Sequence, residues 1–572
     1  MKIYNADIAK QFNKLADLLE IEGQNPFRIR AYRNAARIIS GLSENLYDLV
    51  AQKKDLTELP YIGKDLAEKI KQIVETGELP ALKEVEKQTP AILSQMMDLE
   101  GLGPKRVKLL YDKLHIKNFN DLKKAIEQNK LLTIPGFGEK IIQKINQSIQ
   151  YSGEYAHRFY LIEAIPIAEQ FLKYLQKIKN IKQVEIAGSY RRKKDTVGDL
   201  DILITAKSGV DIIKHFVDYD EVKDILAQGT TRASVRLNSG MQVDLRVVPE
   251  ISYGAALLYF TGSKAHNIVL RKMAIQQGLK INEYGLFKGE KRVAGKTEQE
   301  MYKKIGLTYI EPELREDRGE IEASRQNNLP QLIKLENIKG DLHSHTLATD
   351  GADTLEAMAQ AAARMGHKYL AITDHTQHLT VAKGLNKKQL FNQIKAIDKL
   401  NEKLKNIVIL KSSEVDILED GSLDLPDDIL KELDLTVCSV HSHFELSQIK
   451  QTQRIIRAMD NRYFNILAHP TGRLIGTRDT YDVDLEKIMR AAKERNCFLE
   501  INAQPSRLDL NEIACKMAKD MQLKLAISTD SHSTQQLNNM QFGIYQARRG
   551  WLSSEDIINT RSLSELKKLL KR

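Results

Sequence analysis

Between residues 335 and 572, six apolar, largely β-branched runs each end in a histidine or a carboxylate, and no other feature of the chain restricts its fold as strongly. The runs read GDLHSHT, YLAITDHT, IVILKSSEVD, LTVCSVHSH, FNILAHP and LAISTDSH, with amphipathic helical segments between them. Regular alternation of strand and helix builds a parallel, barrel-like α/β sheet whose C-terminal strand ends converge on one face. That convergence would gather His343, His345, Asp350, His375, Glu414, His441, His469, Asp530 and His532. His343 and His345 lie two residues apart and so share a strand face. A lone histidine is ordinarily structural, but a whole series at successive strand ends points to metal. Nine nitrogen and oxygen ligands suit two or three divalent ions, imidazole favouring Zn²⁺ or Mn²⁺ and the carboxylates bridging.

A second acidic cluster lies upstream. KQVEIAGSYRRKKDTVGDLDILITA reads as strand, turn, strand, and puts Asp199 and Asp201 on one strand face, while MQVDLRVVP carries Asp244 between apolar residues. Carboxylates this close repel one another unless cations neutralise them, and three on rigid strands suit two Mg²⁺ ions holding a triphosphate. Gly188 and Ser189 allow a close backbone approach, and Arg191 and Arg192 add cations for phosphates. GS followed by DxD occurs across many nucleotidyltransferases, so the substrate must be read elsewhere.

From Ile8 to Gln150 the apolar spacing is helical throughout. LPYIGKDLAEKI, LEGLGPKRVKLL and LTIPGFGEKIIQKI each place glycine before a basic amphipathic helix: Gly63, then Gly101 and Gly103, then Gly136 and Gly138. Unpaired N–H groups at such a helix start bind anions without reading side chains, and a DNA backbone is the natural ligand. Charge agrees, because most of the net +10 falls before residue 331, whereas nine of the 13 histidines follow residue 330. The charged stretch EPELREDRGEIEASRQNN, residues 311 to 328, reads as a linker with one exposed helix. No apolar run nears the ~20 residues of a membrane span, and the N-terminus lacks a signal-peptide core. With Cys438, Cys497 and Cys515 as the only cysteines, a reducing, cytoplasmic setting is expected, without membrane association and as a monomer.

NPFRIRAYRNAARII together with LPYIGKDLAEKI resembles the lyase domain of the family X DNA polymerases. The resemblance makes Lys69 the Schiff-base nucleophile toward 5′-deoxyribose phosphate, a role that needs a neutral amine, helped by cations such as Lys64. Here the first hairpin departs from the family's GxG, reading Tyr61-Ile62-Gly63. LLYFTGSKAHNIVLRKMA and INEYGLF resemble the same family's fingers region. By that likeness Tyr259 and Phe260 line the nucleotide's sugar edge, Asn267 contacts its base, and Arg271 checks the templating pair. Gly188, Ser189, Arg192, Gly198 and Gly262 would hold the triphosphate. Gln242 stands where animal members carry Arg, and Lys264 replaces an acidic residue. The histidine-rich half resembles the polymerase and histidinol phosphatase (PHP) domain, with Asp350 where some members have His. His378 and His443 would then touch substrate and Arg473 clamp a phosphate. The resemblance implies manganese-dependent 3′–5′ exonuclease and abasic-site endonuclease chemistry.

The expected molecule is multidomain. It has an all-α helix-hairpin-helix domain at 1–150, an α+β nucleotidyltransferase polymerase core at 151–315, a linker at 316–335 and a distorted (β/α)7 PHP barrel at 336–572. It would fill short gaps in primed DNA from dNTPs with Mg²⁺ and process DNA ends at a Mn²⁺ or Zn²⁺ site. The main alternative makes the C-terminal domain a structural, non-catalytic module. A gap-recognition scaffold and a template-independent nucleotidyltransferase are the other readings to be separated.

Overall fold

The computed structural model describes residues 5–42, 44–88, 102–116, 119–128, 130–138 and 158–571 apart from 207, with Leu93, Met96, Ile141, Ile142 and Ile145. The chain divides into two compact units, Met1–Arg158 and Phe159–Arg572.

Among its described residues the first unit is built of helices and short 3-10 turns, as the apolar spacing requires. Asn5–Ile21 and Pro26–Ser40 pack through Phe12, Leu15, Tyr32 and Ile39, and Lys64–Thr76 adds Ile70 and Ile73 to the same core. Asn25 starts the second helix by accepting the Phe27 N–H, with Pro26 at the first helical position, where a missing N–H costs nothing. Gly63 and Gly103 stand at the starts of Lys64–Thr76 and Pro104–Leu114 with no side-chain cap. The hairpin that departs from GxG keeps the backbone shape all the same. Tyr61 takes φ +64°, where Gly136 of the third hairpin has +93°. A side chain in the left-handed region costs roughly 1 kcal/mol, so Tyr61 is held there by its surroundings. Gly101 lies outside the described residues.

In the second unit a five-stranded sheet runs, in spatial order, Gln183–Ile186, Asp199–Thr205, Gln242–Val248, Arg232–Leu237 and Val222–Gln228. The central pair is parallel and its neighbours antiparallel. Helices Tyr253–Thr261 and Lys264–Gln276 and a small sheet of Lys280–Asn282, Gly285–Lys288 and Lys291–Ala294 follow. Seven parallel strands in chain order, from Gly340–Asp341 to Leu525–Ser528, then form the barrel. Its first and last strands meet just past their ends, where Ser344 pairs with Ser531 and the His345 N–H donates to the Ser531 carbonyl at 2.8 Å.

The stretch expected to be an exposed linker is instead packed. Arg315 and Glu320 are fully buried and Ser324 nearly so. Arg315 Nη1 donates to Glu298 Oε1 at 2.5 Å, and Arg191 grips the same carboxylate at 2.9 and 2.7 Å. Burial works to raise the Glu298 carboxyl, but the Arg315 and Arg191 guanidiniums hold it down to about 2. Glu320 accepts from the N–H groups of Asp317 and Arg318 and pairs with the buried His266 at 2.7 Å. Charge density is a poor guide here because Glu313, Arg315, Glu316, Arg318 and Glu320 are each spent on a partner within the fold. Leu508 and Phe542 of the barrel also join the core of the five-stranded sheet, so the two lobes share apolar contacts.

Candidate active sites

Strand register assembles the acidic site. Asp201 lies opposite Asp244, and Asp199 opposite Gln242, on adjacent parallel strands. Oxygens of Asp199, Asp201 and Asp244 come within 4.8 Å of one another. Burial pushes the Asp201 carboxyl up to about 7, reinforced by the charges of Asp199 and Asp244. A cluster that strains against its own charge fits divalent cations. Asp244 is held from both sides, by the Ser234 hydroxyl on Oδ1 and by Gln242 Nε2 on Oδ2 at 3.0 Å. Gln242 therefore helps to orient the third carboxylate. A cavity of about 380 Å³ opens beside it, lined by Asp201, Ser234, Asp244, Arg232, Arg246 and Phe260.

Gly188 is fixed by this geometry. Its φ is +61°, and a Cβ there would lie 2.4 Å from Asp201 Oδ2. Gly188→Ala must displace the half-buried carboxylate and strain the turn as well. We expect nucleotide incorporation to fall at least ~100-fold while hydrolysis at the histidine site, measured on the same preparation, is retained.

The nucleotide-side residues named from sequence fall into one neighbourhood. Asn267 Nδ2 donates to the Tyr259 carbonyl at 2.7 Å, Arg271 Nε donates to the Asn267 carbonyl, and the Arg271 guanidinium lies 5.8 Å from the Tyr259 ring centre. Phe260 packs on Tyr259 and under Arg246. Gly262 lies against Arg192, whose Nη1 donates to the Thr261 carbonyl. Ser189 sits with Gly188 on the short helix Gly188–Arg191, and Gly198 immediately precedes Asp199. The Arg191 guanidinium is engaged by Glu298 and Thr261.

The barrel's strand ends bring the histidines together in three overlapping groups: His345, Asp350, His375 and His532; His343, His345 and Asp530; and His375, Glu414 and His441. His469 stands outside these groups but reaches Glu414 Oε1 at 3.1 Å. His345 stacks on His375 and His532, with ring centres 4.5 and 4.3 Å apart. Burial opposes charge on these groups. Even so, Glu414 and Asp530 are held well below the usual carboxylate range by the imidazoles around them, while His441 is raised to about 10 and His532 to about 9. His343 Nε2, His345 Nδ1, His375 Nδ1 and His469 Nδ1 are buried with no hydrogen-bond partner among the described residues. Buried imidazole nitrogens without partners, facing carboxylates that demand cations, are a donor set that fits divalent metal. His469 and Asp530 also carry positive φ, +27° and +51°, which persists only where the surroundings impose it.

A supporting shell escaped the sequence reading. Glu500 Oε1 pairs with His343 Nδ1 at 2.8 Å and its other oxygen accepts the His469 N–H. Asp416 pairs with His441 Nδ1 at 2.8 Å, and Asn502 donates to both Glu500 and Asp530. Such partners fix the imidazole tautomer and make the other nitrogen a better ligand. A signal was present in part, since Asp416 ends the apolar strand Val408–Asp416 and Glu500 lies within the apolar strand Phe498–Asn502. Arg473 is not placed as a clamp at this site: Nη2 donates to the Leu508 carbonyl and lies 3.6 Å from Asp195. Arg507 reaches the ligands instead, 3.9 Å from Asp530 Oδ2. His378 and His443 belong to none of the three groups. In the first unit, Lys69 is largely buried and its ammonium is ion-paired with Asp65.

Comparison with known proteins agrees domain by domain. Residues 3–79 match the model for a helix-hairpin-helix domain, 93–150 a SAM-like helix-hairpin-helix tandem, 162–240 the DNA polymerase beta palm, 256–316 the DNA polymerase beta thumb and 341–504 the PHP domain. The region likened to fingers thus carries the thumb description. The chain is 37% identical over its full length, and over all of the relative's, to the DNA polymerase/3′-5′ exonuclease PolX of Bacillus subtilis. About 40% of the chain is 32% identical to a probable phosphatase of Thermoanaerobacter, covering 94% of that protein. No helix among the described residues is long and apolar enough to cross a membrane. With every domain matched in order and a relative aligned from end to end, the chain belongs to the family X DNA polymerases that carry a C-terminal PHP domain, joining a nucleotidyltransferase to a metal-dependent phosphoesterase.

Proposed function

We propose that this enzyme fills short gaps in damaged DNA, copying template from dNTPs, and uses the PHP site to trim 3′ ends and to open the backbone at abasic sites. The observation that carries the reading is the presence in one compact unit of a three-carboxylate cluster and of three overlapping imidazole groups. Mg²⁺ held by Asp199, Asp201 and Asp244 would neutralise charge in phosphoryl transfer, and Mn²⁺ or Zn²⁺ held by the histidine site would supply a more acidic water for phosphoester hydrolysis. Ser234 and Gln242 keep Asp244 aimed, Arg192 holds the triphosphate, and Tyr259, Asn267 and Arg271 orient sugar and base. Gly63 and Gly103 have open space where a Cβ would stand, which leaves room for a DNA backbone to approach the helix starts. Binding through such contacts ignores sequence and weakens steeply with salt.

A gapped, end-labelled duplex tests the whole reading. With dNTPs and Mg²⁺ the primer should grow by the templated base until the gap closes; without dNTPs and with Mn²⁺ its 3′ end should shorten. Extension that ignores the template, or either reaction surviving chelation, contradicts the proposal. A lyase step at Lys69 requires Asp65 to release its amine, and borohydride trapping on a 5′-deoxyribose phosphate end is the direct assay.

A further inference from the structure

The barrel helix Met540–Arg549 ends in two arginines with different partners. Arg548 pairs with Glu313 at 2.7 Å and donates to the Ile333 carbonyl. Arg549, only 4% exposed, bridges the barrel to the polymerase lobe. Its Nη2 donates to Glu512 Oε1 at 2.6 Å, and its Nη1 donates to the Arg192 carbonyl at 3.0 Å and to Glu316 Oε1 at 3.3 Å. The same Glu316 oxygen accepts from Arg192 Nε at 3.0 Å. One unbroken chain therefore runs Glu512, Arg549, Glu316, Arg192.

Two further features bear on what this chain does. Burial works to raise the Glu316 carboxyl, but Arg549 and Arg192 hold it down to about 2, so it stays a carboxylate between two cations. Arg192 is thereby fixed at its carbonyl, at Nε and, through the Thr261 carbonyl, at Nη1. A guanidinium orients a phosphate only if its plane is fixed beforehand. Cohesion between the lobes does not require Arg549, because Arg548 with Glu313 and Arg318 with Glu512 already supply ion pairs there.

We infer that Arg549, a residue of the PHP domain, is a positioning residue for the polymerase: through Glu316 and the Arg192 carbonyl it sets the guanidinium of Arg192 for the triphosphate of the incoming nucleotide. This rests on the proposed role of Arg192. Without Arg549, Glu316 keeps Arg192 as its hydrogen-bonded cation and draws it from the phosphates, so nucleotide capture weakens while the carboxylate chemistry is untouched.

Single-nucleotide insertion by the full-length protein separates the possibilities. Arg549→Gln should raise KM for dNTP about tenfold, with kcat and PHP-site hydrolysis within about twofold of the parent. Arg548→Gln, which removes a neighbouring charge from the same interface, should leave KM unchanged. An equal rise in KM for Arg548→Gln would mean that general loosening of the lobes is responsible, and would overturn the inference. So would an unchanged KM in Arg549→Gln alongside a raised one in Arg192→Gln. An unchanged KM in Arg192→Gln would remove the role of Arg192 itself, and the inference with it. If Arg549→Gln does not fold, judged by thermal unfolding and hydrolysis, Glu512→Gln carries the test. That variant keeps Arg549 but loosens its anchor, and should raise KM in the same direction, whereas Arg318→Gln, which removes the other partner of Glu512, should leave KM unchanged; no rise in the first, or an equal rise in the second, would refute the inference.

Discussion

Asp244→Ala is expected to abolish gap filling, lowering the incorporation rate by ~1,000-fold or more, which corresponds to about 4 kcal/mol of lost transition-state stabilisation. The size follows from the register. Asp244 lies directly opposite Asp201 and is braced on both oxygens by Ser234 and Gln242, so no nearby carboxylate can move into its place. Folding should be preserved, because removing one of three mutually repelling charges relieves the strain on the half-buried Asp201. Thermal unfolding in the absence of divalent ions should show a midpoint equal to the parent's or above it. Hydrolysis on the same DNA supplies the internal control. Incorporation within tenfold of the parent would mean that the chemistry lies elsewhere.

The two candidate ligand clusters were legible because each leaves a periodic mark. Carboxylates at i and i+2 share a strand face, and ligands at successive strand ends repeat with the barrel's own period, so Asp199 with Asp201 and His343 with His345 stand out in one dimension. What supports them is set by contacts far apart in sequence and leaves no such mark. Glu500 reaches His343 across 157 residues, and Arg549 reaches the Arg192 carbonyl across 357. Arg473 follows an apparent strand-end motif, but the loop carries it toward Asp195. The segment at 311–328 failed as a linker for a related reason. Composition reports how much charge a segment has and nothing about whether a partner such as Glu298 or His266 waits in the fold. Tyr61 shows a third kind of miss, a backbone conformation maintained where the expected glycine is absent.

Replacing His343 and His345 together with alanine should remove nuclease activity, by ~1,000-fold or more, and spare polymerisation. Between them the two imidazoles serve two of the three ligand groups, and His345 alone belongs to both. Their loss also leaves Glu500, Asp530 and Glu414 facing one another without the imidazoles that contact them. An uncompensated buried charge of that kind costs about 3–5 kcal/mol, so the variant's barrel should unfold at lower temperature than the parent's. This is where a structural role for the barrel would reveal itself. Leu508 and Phe542 pack into the polymerase core, and a barrel that served only as a metal-braced buttress would take incorporation down as it loosened. The catalytic reading requires the opposite separation at a temperature where both lobes remain folded: primer extension at the parent's rate in Mg²⁺, and a 3′ end that added Mn²⁺ no longer shortens. Parallel decline of both reactions would make the histidine site a brace, whereas nuclease activity surviving the double replacement would move hydrolysis away from these ligands altogether.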